Sequence, residues 1–334
     1  MKAKELKLET SFVQEISRLK KDLFDPELNR FIQNQAKQTL YDPISYIMQL
    51  GGKRLRPIMV LASTEAFGGD AKQALNACMG IEVFHNFTLM HDDIMDDAPL
   101  RRGKQTVHEK WGVNSGILSG DAMIIQAYQL LNTYQAPLST QLMDLFNTTA
   151  LEVCEGQQLD MEFEERSDVL IDEYLEMIRL KTSVLLAAAL KMGAQIAGAS
   201  DEVQENIYLF GQEIGLAFQL RDDYLDAFGD PATFGKQVGG DILSDKKTYL
   251  WIKAMDKSSV EQKEALEKWL GKSDEGKVEV FRNHFRDVKA DQDVLKAMEE
   301  HYQKALSYLN LLPIEDTTKV FFEDFARTLL DREN

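Results

Sequence analysis

The sequence is poor in the features that mark secreted, membrane-spanning or disulfide-stabilised proteins. Only two of its 334 residues are cysteines, Cys78 and Cys154, too few for a disulfide framework. Both lie in apolar helical patterns, so we expect reduced cysteines in the core. No run approaches the roughly eighteen apolar residues of a membrane span. Residues 1–21 are charged and have no apolar signal region, so we expect a cytoplasmic protein.

Positive charge is also scarce, and this limits the possible partners. The chain has 38 Lys and Arg against 55 Asp and Glu, a net charge of −17. Nucleic acid would require a basic face, so it is not expected as a partner. An anionic ligand would be repelled at long range, so a phosphate site would have to be built locally from Lys, Arg and metal.

The chain also lacks an obvious linker. Its seven prolines and twenty glycines form no Ser/Pro-rich tract, and 44% of its residues are hydrophobic. We therefore predict a single domain over residues 1–334. Nearly every segment has helical periodicity and no convincing alternating strand is present, which predicts an all-α fold. The predicted helices include residues 58–67, 117–134, 138–165, 170–197 (capped by Ser167 or Asp168) and 201–228, with loops at 100–116 and 229–241.

An acidic motif ends the apolar helix predicted over residues 81–90. Asp92 and Asp96 are four residues apart and share one helix face, so their oxygens can bind a common cation. Such carboxylates suit Mg²⁺, which keeps other coordination positions for water or phosphate. The alternative is a solvated acidic helix end.

A second acidic motif, Asp222-Asp223-Tyr224-Leu225-Asp226, also follows an apolar helical segment. One such string arises easily by chance, but two with the same spacing after apolar helices do not. Two facing acidic sites would suit a cluster of Mg²⁺ ions that binds a diphosphate.

Basic residues occur close to these motifs. The turn 51–57, GGKRLRP, combines glycines with three cations and suits a phosphate group, although a solvated turn is the alternative. Arg101 and Arg102 follow the first acidic motif directly. Lys181 interrupts an apolar helix, where a lysine is rare unless it is paired. The glycine-rich loop 229–241 lacks the P-loop pattern, so nucleotide binding is rejected.

The histidines form no recognisable zinc motif. His85 and His91 are six residues apart on opposed helix faces, and no Cys or Glu completes a set. His85 could donate toward the turn 51–57, but the residues alone favour a histidine satisfied within the core. No Ser-His-Asp or Cys-His arrangement is evident.

In combination, these motifs resemble those of the all-trans isoprenyl diphosphate synthases (polyprenyl synthetases) of the short-chain type. The resemblance covers about residues 45–250 and rests on GGKRLRP at 51–57, HDDIMDDAPLRRG at 91–103, GQQLD at 156–160, KT at 181–182, FQLRDDYLD at 218–226 and GKQVGGDILSDKKT at 235–248. It implies an isoprenoid-synthase helical bundle around a deep central cavity. It also implies a homodimer formed through central helices, whereas the composition does not require one.

The resemblance implies a role for each matched position. Asp92 and Asp96 would bind two Mg²⁺ ions and Asp222 a third, supported by Asp93, Asp223 and Asp226. The allylic diphosphate would be bound by Arg101, Lys181, Lys236 and Lys246, with the choice between Lys246 and Lys247 open. Isopentenyl diphosphate would be bound by Lys53, Arg56, His85 and Arg102. Gln157 and Asp160 match the family's GQxxD element, and Thr182 and Gln219 would place oxygens near the developing cation.

The implied activity is a condensation of isopentenyl diphosphate with dimethylallyl, geranyl or farnesyl diphosphate. Phe84, Phe87 and Thr88 lie on the helix that leads to the first motif and would set product length, although the phenylalanines could simply pack the core. This arrangement favours geranylgeranyl diphosphate (C20), with farnesyl diphosphate (C15) as the close alternative. A terpene cyclase, a head-to-head synthase or an inactive regulatory subunit are rival readings. A terpene cyclase or a head-to-head synthase would need no isopentenyl diphosphate site. Both acidic motifs are complete, which argues against an inactive regulatory subunit.

Overall fold

The computed structural model describes residues 12–229, 238–272 and 274–331. Within these ranges the protein is almost entirely helical, so the all-α prediction is confirmed. The first half contains helices α1 (Asp25–Gln33), α2 (Asp42–Gln49), α3 (Leu55–Ala66), α4 (Leu75–Met95), α5 (Val107–Trp111), α6 (Val113–Leu131) and α7 (Leu138–Glu165). The second half contains α8 (Ile171–Ile178), α9 (Val184–Ile196), α10 (Asp201–Phe228), α11 (Gly240–Leu243), α12 (Tyr249–Lys257), α13 (Val260–Glu267), α14 (Glu275–Asp287), α15 (Ala290–Asn310) and α16 (Asp316–Leu330).

Short irregular segments complete this pattern. Leu19–Phe24 and Arg179–Ser183 are π-helical, Ala71–Ala74 is a 3₁₀ turn, and residues 12–18 are helical. Strands β1 (Leu100–Arg101) and β2 (Lys104–Gln105) form a two-residue antiparallel hairpin, with Leu100 opposite Gln105 and Arg101 opposite Lys104.

The chain divides into two compact units. The first comprises Met1–Asn147 and Ala188–Glu205, and the second comprises Thr148–Ala187 and Asn206–Asn334. The prediction of one domain over 1–334 stays a prediction. The acidic motifs fall in different units, the first in the first unit and the second in the second unit.

Close helix packing in the first unit depends on a glycine and a serine. A Cβ at Gly193 of α9 would lie 2.4 Å from the carbonyl oxygen of Val60 in α3, so only glycine permits this approach. The Ser63 hydroxyl, fully buried, donates to the Leu190 carbonyl at 2.6 Å. The apolar run of α3 predicted from the sequence is therefore buried by a neighbouring helix.

The second unit has its own apolar core, which includes the aromatic residues Tyr174, Trp251, Phe281 and Phe285. Trp251 stacks on Phe281 with ring centroids 5.3 Å apart. These contacts join helices α8, α12 and α14 around the C-terminal part of α10.

Three local predictions require correction. The predicted loop 100–116 contains the hairpin and α5, because the Thr106 hydroxyl and amide bond back to Ala98 and Pro99. Helix α8 begins at Ile171 rather than after Ser167 or Asp168, because the Glu173 carboxylate accepts the Leu170 N–H at 2.9 Å. Cys78 is buried, but Cys154 is exposed because it lies on the face of α7 that also exposes Leu151 and Gln158.

No helix in the described ranges combines the length and the apolar character needed to cross a bilayer. The predicted location of the protein stays a prediction.

A buried carboxylate links α10 to α15 and gives a testable stability effect. Glu213 is 2% exposed and accepts from His301 at 2.6 Å and from Lys304 at 2.5 Å. Burial alone would raise the pKa of Glu213, but the hydrogen bonds and charges of His301 and Lys304 outweigh it, and its pKa lies below the ordinary 4.5. The stabilisation is therefore present above pH 4.5 and is lost as the pH falls through the lowered folded-state pKa.

We expect Glu213→Gln to lower the free energy of unfolding at neutral pH by roughly 1–3 kcal/mol. The difference from the wild type should shrink below pH 4.5, measured by urea unfolding across pH. Glu300→Gln is the matched control on α15, the helix that carries His301 and Lys304, because Glu300 forms an exposed pair with Lys296. An equal loss in both variants would contradict the assigned role of Glu213.

Candidate active site

The first acidic motif ends helix α4 and is held by Arg101 of the hairpin. Asp93 is 2% exposed, and Arg101 Nε donates to its two oxygens at 2.8 and 2.9 Å. Burial raises the pKa of Asp93, although Arg101 opposes this. Arg101 Nη2 also lies 3.5 Å from Asp92 Oδ2. Asp93 is thus the buried anchor, while Asp92 and Asp96 lie on the more accessible face of the helix end.

The basic turn 51–57 is anchored by Arg54, which the sequence did not single out. Arg54 forms a buried ion pair with Glu82 of α4 and donates to the Met48 carbonyl at 2.5 Å. Glu82 also accepts from Asn86 at 2.9 Å. The Arg54 side chain is therefore engaged within the protein. Lys53 lies on the exposed turn, and Arg56 lies on the first turn of α3.

A cluster of positive charge surrounds His85. Arg56 Nη1 lies 3.3 Å from His85 Nε2. The pKa of His85 lies well below its ordinary value, so the imidazole is neutral. Burial is the largest cause, and the charges of Arg56, Arg102, Arg101 and Arg54 add to it. Arg56 Nε is buried and makes no hydrogen bond to the described residues. An anion would relieve both the repulsion among the arginines and this unsatisfied donor.

Arg102 joins this cluster through the glycine turn. Its guanidinium donates to the Gly51 carbonyl and packs so closely on Gly52 that a Cβ there would lie 2.7 Å from Nη1. Burial and the charge of Arg54 lower the pKa of Arg102. The four residues predicted to bind isopentenyl diphosphate, Lys53, Arg56, His85 and Arg102, therefore all belong to the first unit and lie on or beside this turn.

The three predicted chain-length residues precede the acidic motif on α4. Phe84 is fully buried, with its ring 5.6 Å from that of Phe87 and 5.1 Å from that of Phe146. Tyr128 packs on the other side of Phe146 at 5.1 Å. The Thr88 hydroxyl donates to the His85 carbonyl at 2.8 Å, so it is used within its own helix.

In the second unit, Asp223 is the centre of a hydrogen-bond network at the second acidic motif. It is 3% exposed and accepts from the Tyr174 hydroxyl, from the Tyr249 N–H at 3.3 Å and from Gln219 Nε2 at 3.4 Å. The Thr182 hydroxyl donates to Gln219 Oε1 at 3.4 Å. Burial raises the pKa of Asp223 to about 8. The network therefore directs the Gln219 oxygen toward Thr182.

Lys181 and Thr182 lie in the π-helical segment between α8 and α9. A Cβ at Gly156 would lie 2.3 Å from the Lys181 backbone nitrogen, and one at Gly215 would lie 2.6 Å from Ser183 Cα. Two glycines on neighbouring helices thus leave room for the wider π turn. Lys181 Nζ reaches Asp160 Oδ2 at 2.5 Å, which supplies the partner that a lysine in an apolar helix needs.

These side chains line a cavity of about 120 Å³ in the second unit. Lys181, Thr182, Gln219 and Lys246 all contribute to its wall, together with Asp160. Beside it on α7, Gln157 Nε2 is buried and makes no hydrogen bond to the described residues, so this predicted residue has a donor left for a ligand.

The segment after the second motif is tied to it by backbone and side-chain bonds. Asp226 accepts the Asp241 N–H at 3.0 Å. Lys247 Nζ donates to the Glu164 carbonyl at 3.0 Å, which favours Lys246 over Lys247 as a ligand-binding residue. The fully buried Lys277 pairs with Asp245 at 2.6 Å and fixes the turn before Lys246. Lys236 lies outside the described residues.

The remaining acidic positions fit a hard divalent cation. Asp222 lies half-buried next to Asp223, and Asp92 and Asp96 lie one turn apart, so the donors are carboxylate oxygens. Because Asp223 resists ionisation when buried alone, a cation bound by Asp222 would favour its ionised form.

Comparisons with known proteins agree with these motifs. A family model described as polyprenyl synthetase matches residues 37–288. The short chain isoprenyl diphosphate synthase of Methanothermobacter thermautotrophicus is 36% identical over 323 residues, or 96% of this chain and 99% of the relative. The geranylgeranyl diphosphate synthase of Methanosarcina mazei is 42% identical over 235 residues, or 70% of this chain and 72% of the relative. A crystal structure of a geranylgeranyl pyrophosphate synthase has 47% sequence identity and a TM-score of 0.86, covering 98% of each chain.

The close contact at Gly156 gives a prediction for the π turn that carries Lys181. We expect Gly156→Ala to lower the free energy of unfolding by roughly 1–3 kcal/mol, because the added methyl group meets backbone atoms that cannot move aside easily. Thermal and urea unfolding would measure this.

The control is Gly80→Ala in α4, where the methyl group would meet the Leu131 side chain at 3.3 Å and the Ala127 carbonyl oxygen at 3.5 Å, both farther away than the backbone contact at Gly156. This variant should be neutral or slightly stabilising, because alanine favours helix over glycine. If Gly156→Ala proved as stable as Gly80→Ala, the packing role of Gly156 would be excluded.

Proposed function

The chain belongs to the polyprenyl synthetase family, and we propose that it extends allylic diphosphates with isopentenyl diphosphate to give geranylgeranyl diphosphate. It is a short-chain prenyltransferase; the exact product, the roles of the residues, the metal ions and the assembly are parts of the proposal. The observation that carries it is the arginine cluster around His85, because this second anion site beside an acidic motif is what a cyclase would not need.

We propose that Asp92 and Asp96 hold two Mg²⁺ ions and that Asp222 holds a third. When bound, these ions neutralise charge on the leaving diphosphate. Asp93, Asp223 and Asp226 keep the two motifs in place through the contacts described above. The arrangement of oxygen-only donors supports Mg²⁺ rather than a softer metal.

In the proposed reaction, the C–O bond of the allylic diphosphate breaks and leaves an allylic cation. Arg101, Lys181, Lys236 and Lys246 would bind the departing diphosphate, which stabilises charge as it develops. The oxygens of Thr182 and Gln219 would face the cation as weak dipoles, since a stronger nucleophile would trap it. The Thr182–Gln219–Asp223 network supports this role by fixing the direction of the Gln219 oxygen.

The second substrate would be bound by Lys53, Arg56, His85 and Arg102. Neutral His85 can donate one hydrogen bond without adding to the positive charge, and Arg56 Nε has an unused donor. The double bond of isopentenyl diphosphate then forms the new C–C bond, and a proton leaves to the released diphosphate. No dedicated protein base is required by this scheme.

The C20 product is favoured by the aromatic cluster below the first motif and by relatives that are named geranylgeranyl diphosphate synthases. Phe87 would end the growing chain, and Phe84, fixed against Phe146, would form the next layer. A C15 product is the alternative if Phe87 blocks the chain earlier.

We also propose a homodimer. Leu118 and Ile125 lie two turns apart on α6 and are 60% and 59% exposed, which supports an apolar contact with a second copy. Exposed apolar side chains on one helix face favour association, and the dimer stays part of the proposal.

The function is tested by incubation of the protein with Mg²⁺, isopentenyl diphosphate and each allylic starter in turn, with mass analysis of the products. We expect chain elongation that stops at C20 from dimethylallyl, geranyl and farnesyl diphosphate. Hydrocarbon formation from geranylgeranyl diphosphate alone would indicate a cyclase, and absence of any product would indicate a regulatory subunit.

Within that assay, Asp96→Asn and Asp222→Asn should each lower kcat by roughly two to three orders of magnitude, because each removes a carboxylate charge from a proposed metal site at the leaving group. Asp201→Asn is the control on α10, since Asp201 is exposed at the opposite end of the helix from the motif. Full activity in both motif variants would remove the basis of the metal assignment.

The chain-length proposal predicts longer products when the aromatic layers are removed. We expect Phe87→Ala to shift the main product beyond C20, and Phe84→Ala to do so as well, because each opens space below the acidic motif. Chromatography of the dephosphorylated alcohols would measure product length.

Truncation of a buried phenylalanine also destabilises the protein, by about 3–5 kcal/mol. Phe322→Ala separates this effect, because Phe322 is fully buried in the second unit and packs on Phe210. It should lower stability and leave the product unchanged. Unchanged chain length in both Phe87→Ala and Phe84→Ala would refute the proposed floor.

A further inference from the structure

A second group of metal-ligating side chains lies directly after the first acidic motif. Asp97, His108 and Glu109 place one ligand atom each within 4.8 Å of one another. His108 Nε2 is 3.9 Å from Asp97 Oδ1 and 3.8 Å from Glu109 Oε1. Sequence inspection of His85 and His91 alone does not find this group.

The buried histidine is the observation that points to a ligand. His108 is 7% exposed, and both of its ring nitrogens are buried without a hydrogen-bond partner among the described residues. An unsatisfied buried imidazole is unfavourable. Its Nε2 faces two carboxylates at a distance too long for a hydrogen bond, so a small cation between the three groups would bind this nitrogen and both carboxylates.

The local fold brings the backbone segments that carry these ligands together before any ion binds. Asp97 has a left-handed backbone, φ +48°, at the position after helix α4 where glycine or asparagine is usual. The Thr106 hydroxyl bonds to the Ala98 carbonyl at 2.8 Å and closes the hairpin, which brings α5 beside Asp97. Asp97 and His108 therefore lie at the two ends of a closed loop, and Glu109 follows His108 on α5.

The ligand types select a borderline metal ion. One imidazole nitrogen with two carboxylate oxygens suits Zn²⁺ or Co²⁺ better than Mg²⁺, which prefers oxygen alone. In a tetrahedral zinc site, ligand atoms lie roughly 3.3 Å apart. Asp97 is 98% and Glu109 45% exposed, so both carboxylates can move the short distance that remains toward the buried His108.

We propose that Asp97, His108 and Glu109 form a Zn²⁺-type site that is separate from the Mg²⁺ aspartates and fastens α5 to the end of α4. Three protein ligands leave a fourth position for water. The proposal does not depend on which prenyl product the protein makes.

The test titrates Co²⁺ into the full-length protein in excess Mg²⁺, which occupies the oxygen-only sites. We expect one Co²⁺ per chain with visible absorption typical of a four- or five-coordinate site, displaced by Zn²⁺. His108→Gln and the nearly isosteric Asp97→Asn should weaken binding by at least about tenfold, the lower end of what loss of even an outer-shell partner causes. Circular dichroism would show that both variants are folded.

The control variant is His91→Gln, since His91 lies on α4 but outside the three-residue group. It should retain Co²⁺ binding. In a second measurement, NMR of the five histidine rings should show Zn²⁺ changing the nitrogen shift of His108 and no other ring. Unaltered Co²⁺ affinity in His108→Gln, or a ring shift at another histidine only, would overturn the proposal.

Discussion

Each motif depends on the same constraint: a charge with little access to solvent must find its partner inside its own unit. Arg54 pairs with Glu82, Arg101 with Asp93, and Lys181 with Asp160. A buried pair adds little net stability by itself, but removal of one partner leaves an uncompensated charge. These pairs therefore hold in place the helix ends and turns that carry the residues of the proposed site.

The same constraint explains how an acidic protein can present a site for anions. The net charge of −17 repels diphosphate at a distance, yet burial and the charges of the surrounding arginines hold the pKa of His85 well below its ordinary value. The nearby arginines dominate the electrostatic potential at this turn, because salt screens the more distant acidic charges over about 10 Å. Local geometry, rather than net charge, thus determines what the turn 51–57 can bind.

Sequence periodicity predicted the helices 138–165 and 201–228 well, because long amphipathic or apolar segments carry a strong signal. The site was predicted by residue type and spacing on single helices, as for Asp92 and Asp96. Contacts between distant segments were not predictable in this way. Arg54 looked like one more surface cation of the turn, and nothing in the sequence showed that Glu82 lies beside it. The π turn at Lys181 was missed for the same reason, since it depends on glycines of two other helices.

The sequence also did not predict which residues other than glycine have a left-handed backbone conformation. Four such residues lie beside the motifs. Arg54, Asp97, Arg102 and Asp245 all have φ between +48° and +57°. Such conformations are unfavourable for these residue types, and persist only where surrounding contacts compensate. Arg54 is compensated by Glu82, Arg102 by Gly51 and Asp245 by Lys277. Asp97 makes no comparable contact among the described residues except its long approach to His108. A bound cation would supply the missing compensation there, which is an energetic reason for that position to carry a carboxylate rather than glycine.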